Sequence, residues 1–397
     1  MAKSCGVSRI KLSSHLGDES ATRASVVASR RDFLRTAAKL GVGAAAFSVS
    51  KTWALPKLDP KNKVVVVTFG GGARDQETFS PEGQENIPHM LKELLPQGTF
   101  FSQVVNNGIL GHYVGTASLV TGVYESFNNF SSVPPANPTV FEYFRKDRKR
   151  PSFDTWVVAP SNGFNRIGES DYRSYGPGLG AGVILPKRLL SLALKDDTGS
   201  HIQLLQDNYE TPYISTKVVN PEADIRLIEE ALKLSISDFK AHAVTLSSPD
   251  ELSVYVARRL MLHFAPSLLW ITLHDIDIAH AGAYSLYLEG IRRSDRLCAE
   301  IWNAIQESPE YKNKTTMFVL PDFGRDSDLD SAGNGFQHHR TGDVSSRTTW
   351  MMVLGPNIRE GRLIERRIES IDLVPTLGNL MRFHPALAKG NLINELM

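Results

Sequence analysis

Cysteine is nearly absent: the 397 residues include only Cys5 and Cys298. Two such residues cannot make the disulfide framework of a small secreted domain, so stability has to come from a core. An excess of one charge is absent as well, with 44 Lys and Arg against 43 Asp and Glu. A near-neutral surface argues against a nucleic-acid partner. Beyond the first 54 residues no stretch is long and apolar enough to cross a bilayer, and internal repeats and low-complexity tracts are missing too. What remains is an ordinary globular composition, 42% hydrophobic, in a chain long enough for one large α/β domain or a domain with an inserted cap.

The N-terminal segment has a different character. Ser29, Arg30, Arg31, Asp32, Phe33, Leu34 and Arg35 set an arginine pair ahead of hydrophobic residues, and a small, weakly apolar run follows from Ala37 to Val49. That order is the order of a twin-arginine export signal. The run contains Lys39 and is rich in Ala and Gly, so it is poorly suited to spanning a bilayer, while Thr52 and Ala54 offer a small-x-small cleavage pattern. Residues 1–54 are therefore expected to be a signal peptide cleaved after Ala54. Residues 55–397 are expected to be the working domain, carried to the periplasm by the twin-arginine export machinery and left without a stable membrane span. Cleavage removes Cys5 with nine basic and three acidic residues, leaving 35 basic against 40 acidic.

Val64–Thr68 is a β-branched run that ends in Phe69 and three glycines, the pattern of a buried strand entering a tight loop. Comparable runs recur at Phe100–Val105, Thr155–Ala159, Leu268–Leu273, Met317–Leu320 and Trp350–Leu354, between helical patterns at Glu222–Lys233, Glu251–Phe264 and Ala283–Ile305. Such alternation predicts an α/β fold with a largely parallel, helix-covered sheet, whose ligand site lies beyond the carboxyl ends of the strands. Residues 160–215 show weak periodicity and are expected to be a loop-rich excursion or cap.

The residues suited to chemistry follow these strands. Leu268–Leu273 empties into His274, Asp275, Ile276, Asp277, Ile278, Ala279 and His280, which puts two carboxylates and two imidazoles within seven residues. Asp275 and His280 are the pair expected to face a cation, with donors suited to zinc or manganese. The alternative is that these residues only cap the next helix. Met317–Leu320 leads to Asp322, Phe323, Gly324 and Arg325, and Gly335–Arg340 supplies His338 and His339. Gly70, Gly71 and Gly72 with Arg74 can bring backbone N–H groups and a guanidinium to an anion, or form only a tight turn. Arg325 is a further candidate anion contact or a surface ion pair. Asp322–Gly324 also spells the kinase metal triplet, but no companion kinase motif accompanies it.

In their order, and with Leu-Val-Pro-Thr-Leu at Leu373–Leu377, these motifs resemble the alkaline phosphatase and sulfatase superfamily from about Lys63 to Ile358. The resemblance implies a three-layer α/β sandwich that binds two metals. It implies a first metal site of Asp275 and His280 with His339 or His338, and a second site that includes Asp322. At the second site the sequence departs from the pattern. Gly70 stands where an Asp is expected, unless Asp75 substitutes, and Phe323 stands where a His should follow Asp322. His112 falls at the position of the nucleophile, counted back from Leu119, Thr121 and Gly122.

His112 is then a candidate nucleophile, general base or replacement ligand, or a residue that merely caps its helix. Thr116 and Ser118 lie inside that helix and are expected to face its backbone or the core. The sequence thus predicts an exported hydrolase or transferase acting on a phosphate or sulfate ester, small or polymeric. It is expected to use one divalent metal, zinc or manganese, with a second possible, and His112, Arg74 and the glycine loop at the reacting group. The competing expectation is a non-catalytic member of the same fold that serves as a binding or scaffold protein.

Overall fold

β1 (Lys63–Phe69) contains four consecutive valines, Val64–Val67, all at most 1% exposed. A run this apolar has no solvent face, so it sits at the centre of a sheet covered on both sides. The computed structural model, which describes residues 62–131, 133–175, 178–193, 227–328 and 333–396, gives it that place. The other strands are β2 (Gly98–Val105), β3 (Thr155–Val158), β4 (Gly182–Ile184), β5 (Leu268–Leu273), β6 (Thr315–Pro321), β7 (Thr348–Leu354), β8 (Arg362–Ile364) and β9 (Ile368–Glu369). Their order is β4-β3-β5-β1-β6-β7-β2-β8, with β9 also paired to β2. All pairings are parallel except the two made by β7, which is antiparallel to β6 and β2. Val66 is level with Trp270 on one side and Phe318 on the other.

The helices are α1 (His112–Thr121), α2 (Val140–Arg148), α3 (Pro186–Ala193), α4 (Ile236–Ala243), α5 (Pro249–Phe264), α6 (Tyr284–Glu307), α7 (Val344–Arg347) and α8 (Leu373–Met381). The two-residue alternation of β1 divides them into layers. Val65, Val67 and Phe69 pack into one core with Leu189, Phe239, Leu260 and Ile301 of α3, α4, α5 and α6. Val64 and Val66 pack into the other core with Leu119, Phe141 and Leu377 of α1, α2 and α8. The result is the three-layer sandwich, with α5 and α6 close to their expected bounds. Local chemistry sets the helix ends: Thr139 and Glu142 form a capping box on α2, and Gly122 closes α1 at φ 70°.

Two expectations need revising. Part of the 160–215 excursion belongs to the sheet, since Gly182–Ile184 pairs in parallel with β3. Of the helix expected at Glu222–Lys233, the described part is a single π turn at Leu227–Ala231. Residues 194–226 and the expected signal peptide lie outside the described residues. No helix among the described residues is long and apolar enough to cross a membrane.

Candidate metal centre

The three central strands β5, β1 and β6 are adjacent and parallel, so their carboxyl ends open on one edge of the sheet. His274 follows β5, Gly70–Gly72 follow β1, and Asp322–Arg325 follow β6. One ligand atom each from His112, Asp277, His280 and His339 lies within 4.8 Å of the others.

The carboxylate in this group is Asp277 rather than Asp275. After His274 the chain winds into a 3-10 helix, Asp275–Ala281. In that helix residues three apart eclipse, which brings His280 Nε2 to 3.1 Å from Asp277 Oδ1. Asp275, five positions before His280, instead pairs with Arg293 on α6 at 2.7 Å. Of the two C-terminal imidazoles, His339 enters the group, with Nε2 at 2.8 Å from His280 Nε2, while His338 is exposed.

The donors suit a cation. Leu110 O can only accept, so His339 Nδ1, 3.0 Å away, carries the proton and leaves the Nε2 lone pair facing the group. Burial, with the positive charges of His112 and Arg325, pushes His339 down to about 2 and keeps it neutral. Asp277 is 2% exposed. Burial alone would raise its pKa, but the His112 charge and hydrogen bonds from His112 and His280 hold it well below the usual carboxylate range. Ligand atoms around a tetrahedral zinc, with bonds of about 2.0–2.1 Å, are about 3.3 Å apart. His280 Nε2 and His339 Nε2, 2.8 Å apart, stand near that spacing, and while Asp277 Oδ1 accepts from His112 and Arg325, Asp277 Oδ2 is buried without a hydrogen bond.

The residues expected at a second cation site bond to one another. His112 lies with Nδ1 at 2.8 Å from Asp322 Oδ2 and Nε2 at 3.0 Å from Asp277 Oδ1. Burial would lower its pKa, but the two carboxylates push it up to about 10, so the ring is an imidazolium that donates from both nitrogens. Phe323 stacks on it, with ring centroids 4.9 Å apart. Asp322 Oδ1 is occupied by the N–H groups of Gly71 and Phe323. A Cβ at Gly70 would lie 2.5 Å from the His274 ring, so that imidazole fills the space of any side chain at position 70. Arg325 is 1% exposed and donates to Asp277 at 2.8 Å, to Gly72 O and to Phe336 O. Two organic cations thus balance two buried carboxylates, which removes the large penalty of leaving a buried charge unpaired.

The remaining expected site residues fall as follows. Arg325 is an internal ion pair, and neither an exposed anion contact nor a surface bridge. Gly71, at φ 96°, allows the approach of Arg325 Nη2, which would lie 2.7 Å from a Cβ there. Its N–H is taken by Asp322, and Gly72 approaches Phe323 O, so the glycine run serves packing. Arg74 is tied to Glu77 and to Asp328 rather than presented to the cluster. Asp75 begins a 3-10 turn and is not part of the group. Ser118 Oγ bonds its own helix at Val114 O, and Thr116 is fully buried. Asp277 and His274 stand beside Asp275 in the sequence, and it is the 3-10 helix seen in the structure that distinguishes Asp277.

No protein-family model and no curated protein matches the sequence. Solved structures do match the fold. The phosphonate monoester hydrolase of Agrobacterium radiobacter is 12% identical, with a TM-score of 0.54 over 84% of this chain and 77% of that one. The lipoteichoic acid synthase of Listeria monocytogenes is 11% identical, with a TM-score of 0.53 over 93% of this chain and 81% of that one. A putative sulfatase from Bacteroides thetaiotaomicron is 10% identical, with a TM-score of 0.53 over 84% and 74%. The likeness is one of fold: the chain has the same α/β sandwich as these three proteins.

Proposed function

We propose that this protein is an exported hydrolase or transferase that acts on a phosphate or sulfate ester with a single divalent cation, zinc or manganese, held by Asp277, His280 and His339. The observation that carries the reading is the convergence of those three donor atoms at the strand ends, with the tautomer of His339 set by Leu110 O. A bound cation would polarise the ester oxygen and lower the pKa of a bound water. His112 and Arg325 neutralise Asp277 and Asp322, so the carboxylates do not repel an arriving ester anion. With both nitrogens donating, His112 has no lone pair for attack or for abstracting a proton; it supplies fixed positive charge. Fold relatives are named as a phosphonate monoester hydrolase and a lipoteichoic acid synthase, which supports the class and not the substrate.

The test is the purified protein loaded with zinc or manganese, assayed on a panel of aryl phosphate, phosphonate and sulfate esters. Turnover that is lost on chelation and in His280→Ala supports the reading. Stoichiometric metal with no turnover across the panel would overturn the catalytic part. That outcome favours the second reading, a binding or scaffold protein, for which the sealed His112 and the lack of a hydroxyl at its position are the supporting observations.

A further inference from the structure

His339 is held by a stretch without regular structure, since the 3-10 turn Gly335–Gln337 ends two residues before it. A ligand on such a stretch has to be held from outside, and the two residues that follow Gly324 do this. Arg325 Nη1 donates to Phe336 O at 3.1 Å. Asp326 N–H donates to His338 O at 2.9 Å, and Asp326 Oδ1 accepts from Arg340 N–H at 2.7 Å. Asp326 therefore grips the peptide groups on both sides of His339, its carboxylate taking the place that a strand carbonyl would have in a sheet. It is fully buried and also bonds Ser346 Oγ and Arg340 Nε. Gly335 lets the segments close, since a Cβ there would lie 2.5 Å from Asp326 O.

We infer that Asp326 is a positioning residue for the cation site, one that acts through the backbone flanking His339 and makes no contact with the cation. The inference rests on the metal reading above. Partners of this kind typically cost 10- to 100-fold in metal affinity when removed.

The experiment compares zinc affinity and the visible spectrum of the cobalt-loaded protein for the wild type, His339→Ala, Asp326→Ala, Asp326→Asn and Arg340→Ala. The expected result is about 10- to 100-fold weaker zinc binding in Asp326→Ala, with a cobalt spectrum shifted toward that of His339→Ala. Asp326→Asn restores affinity, because its amide oxygen still accepts from the Arg340 N–H. Arg340→Ala binds normally, because it keeps that N–H while losing its half-exposed ion pair with Asp326. A purely electrostatic role would make Asn as poor as Ala, and that result overturns the inference, as does wild-type affinity in Asp326→Ala. If Asp326→Ala does not fold, Arg340→Pro deletes the same bond from the other side and carries the same expectation. A wild type that binds no zinc defeats the metal reading itself, a distinct outcome.

Discussion

His112 and His339 have ring centroids 4.7 Å apart and are pushed in opposite directions. His112 faces two carboxylates, while His339 faces other cations and a carbonyl. The consequence for metal-free protein follows from proton linkage. The folded pKa of His112 is about 10, above the ordinary 6.5, so its stabilisation is present below pH 6.5 and is lost as pH rises toward 10. The folded pKa of His339 is about 2, so the unfolded chain binds the extra proton between pH 2 and 6.5, and stability is lost as pH falls through that window. Stability of the metal-free protein is therefore expected to peak near pH 6.5. Urea unfolding from pH 4 to 10 checks this: His112→Gln should flatten the alkaline limb and, because the His112 charge also pushes His339 down and Asp277 with it, change the acid limb as well; an unchanged alkaline limb would refute the assignment.

At the scale of elements, strands and helices were readable because their patterns are strong: the β-branched run of β1 and the continuous apolar face of α6 have few alternative conformations. The site was less readable. The segments His274–His280, Asp322–Arg325 and Gly335–Arg340 could be picked out as functional because each follows an apolar strand or clusters imidazoles. Which member of each segment turns inward depended on the local helix type, and a 3-10 turn was not expected at Asp275–Ala281. The sequence reading pairs Asp275 with His280; three-residue eclipsing gives Asp277. Arg325 could not be assigned from sequence either, because its partner Asp277 is 48 positions away. The contrast is measurable. Asp277→Asn should weaken zinc binding by at least about 100-fold. Asp275→Asn should leave affinity unchanged and cost about 1–2 kcal/mol of stability through Arg293. Equal losses of zinc in the two variants would return Asp275 to the site.

For the whole molecule, export is a proposal that rests on Arg30 and Arg31. Changing both to lysine is expected to hold the protein in the cytoplasm, as read by fractionation; unchanged export would argue for another route. The pairing of β1 with β5 and β6 adds a constraint of time. Val64 waits for Leu268 and Thr316. At a synthesis rate of about 5–20 residues per second, the last of these partners is made about 10–50 s after the first valines. Through that interval this valine-rich strand is a nascent segment without its neighbours, open to chaperones and to other nascent chains. Its protection during synthesis, more than the final stability of the sheet, would then limit how much active protein a cell obtains.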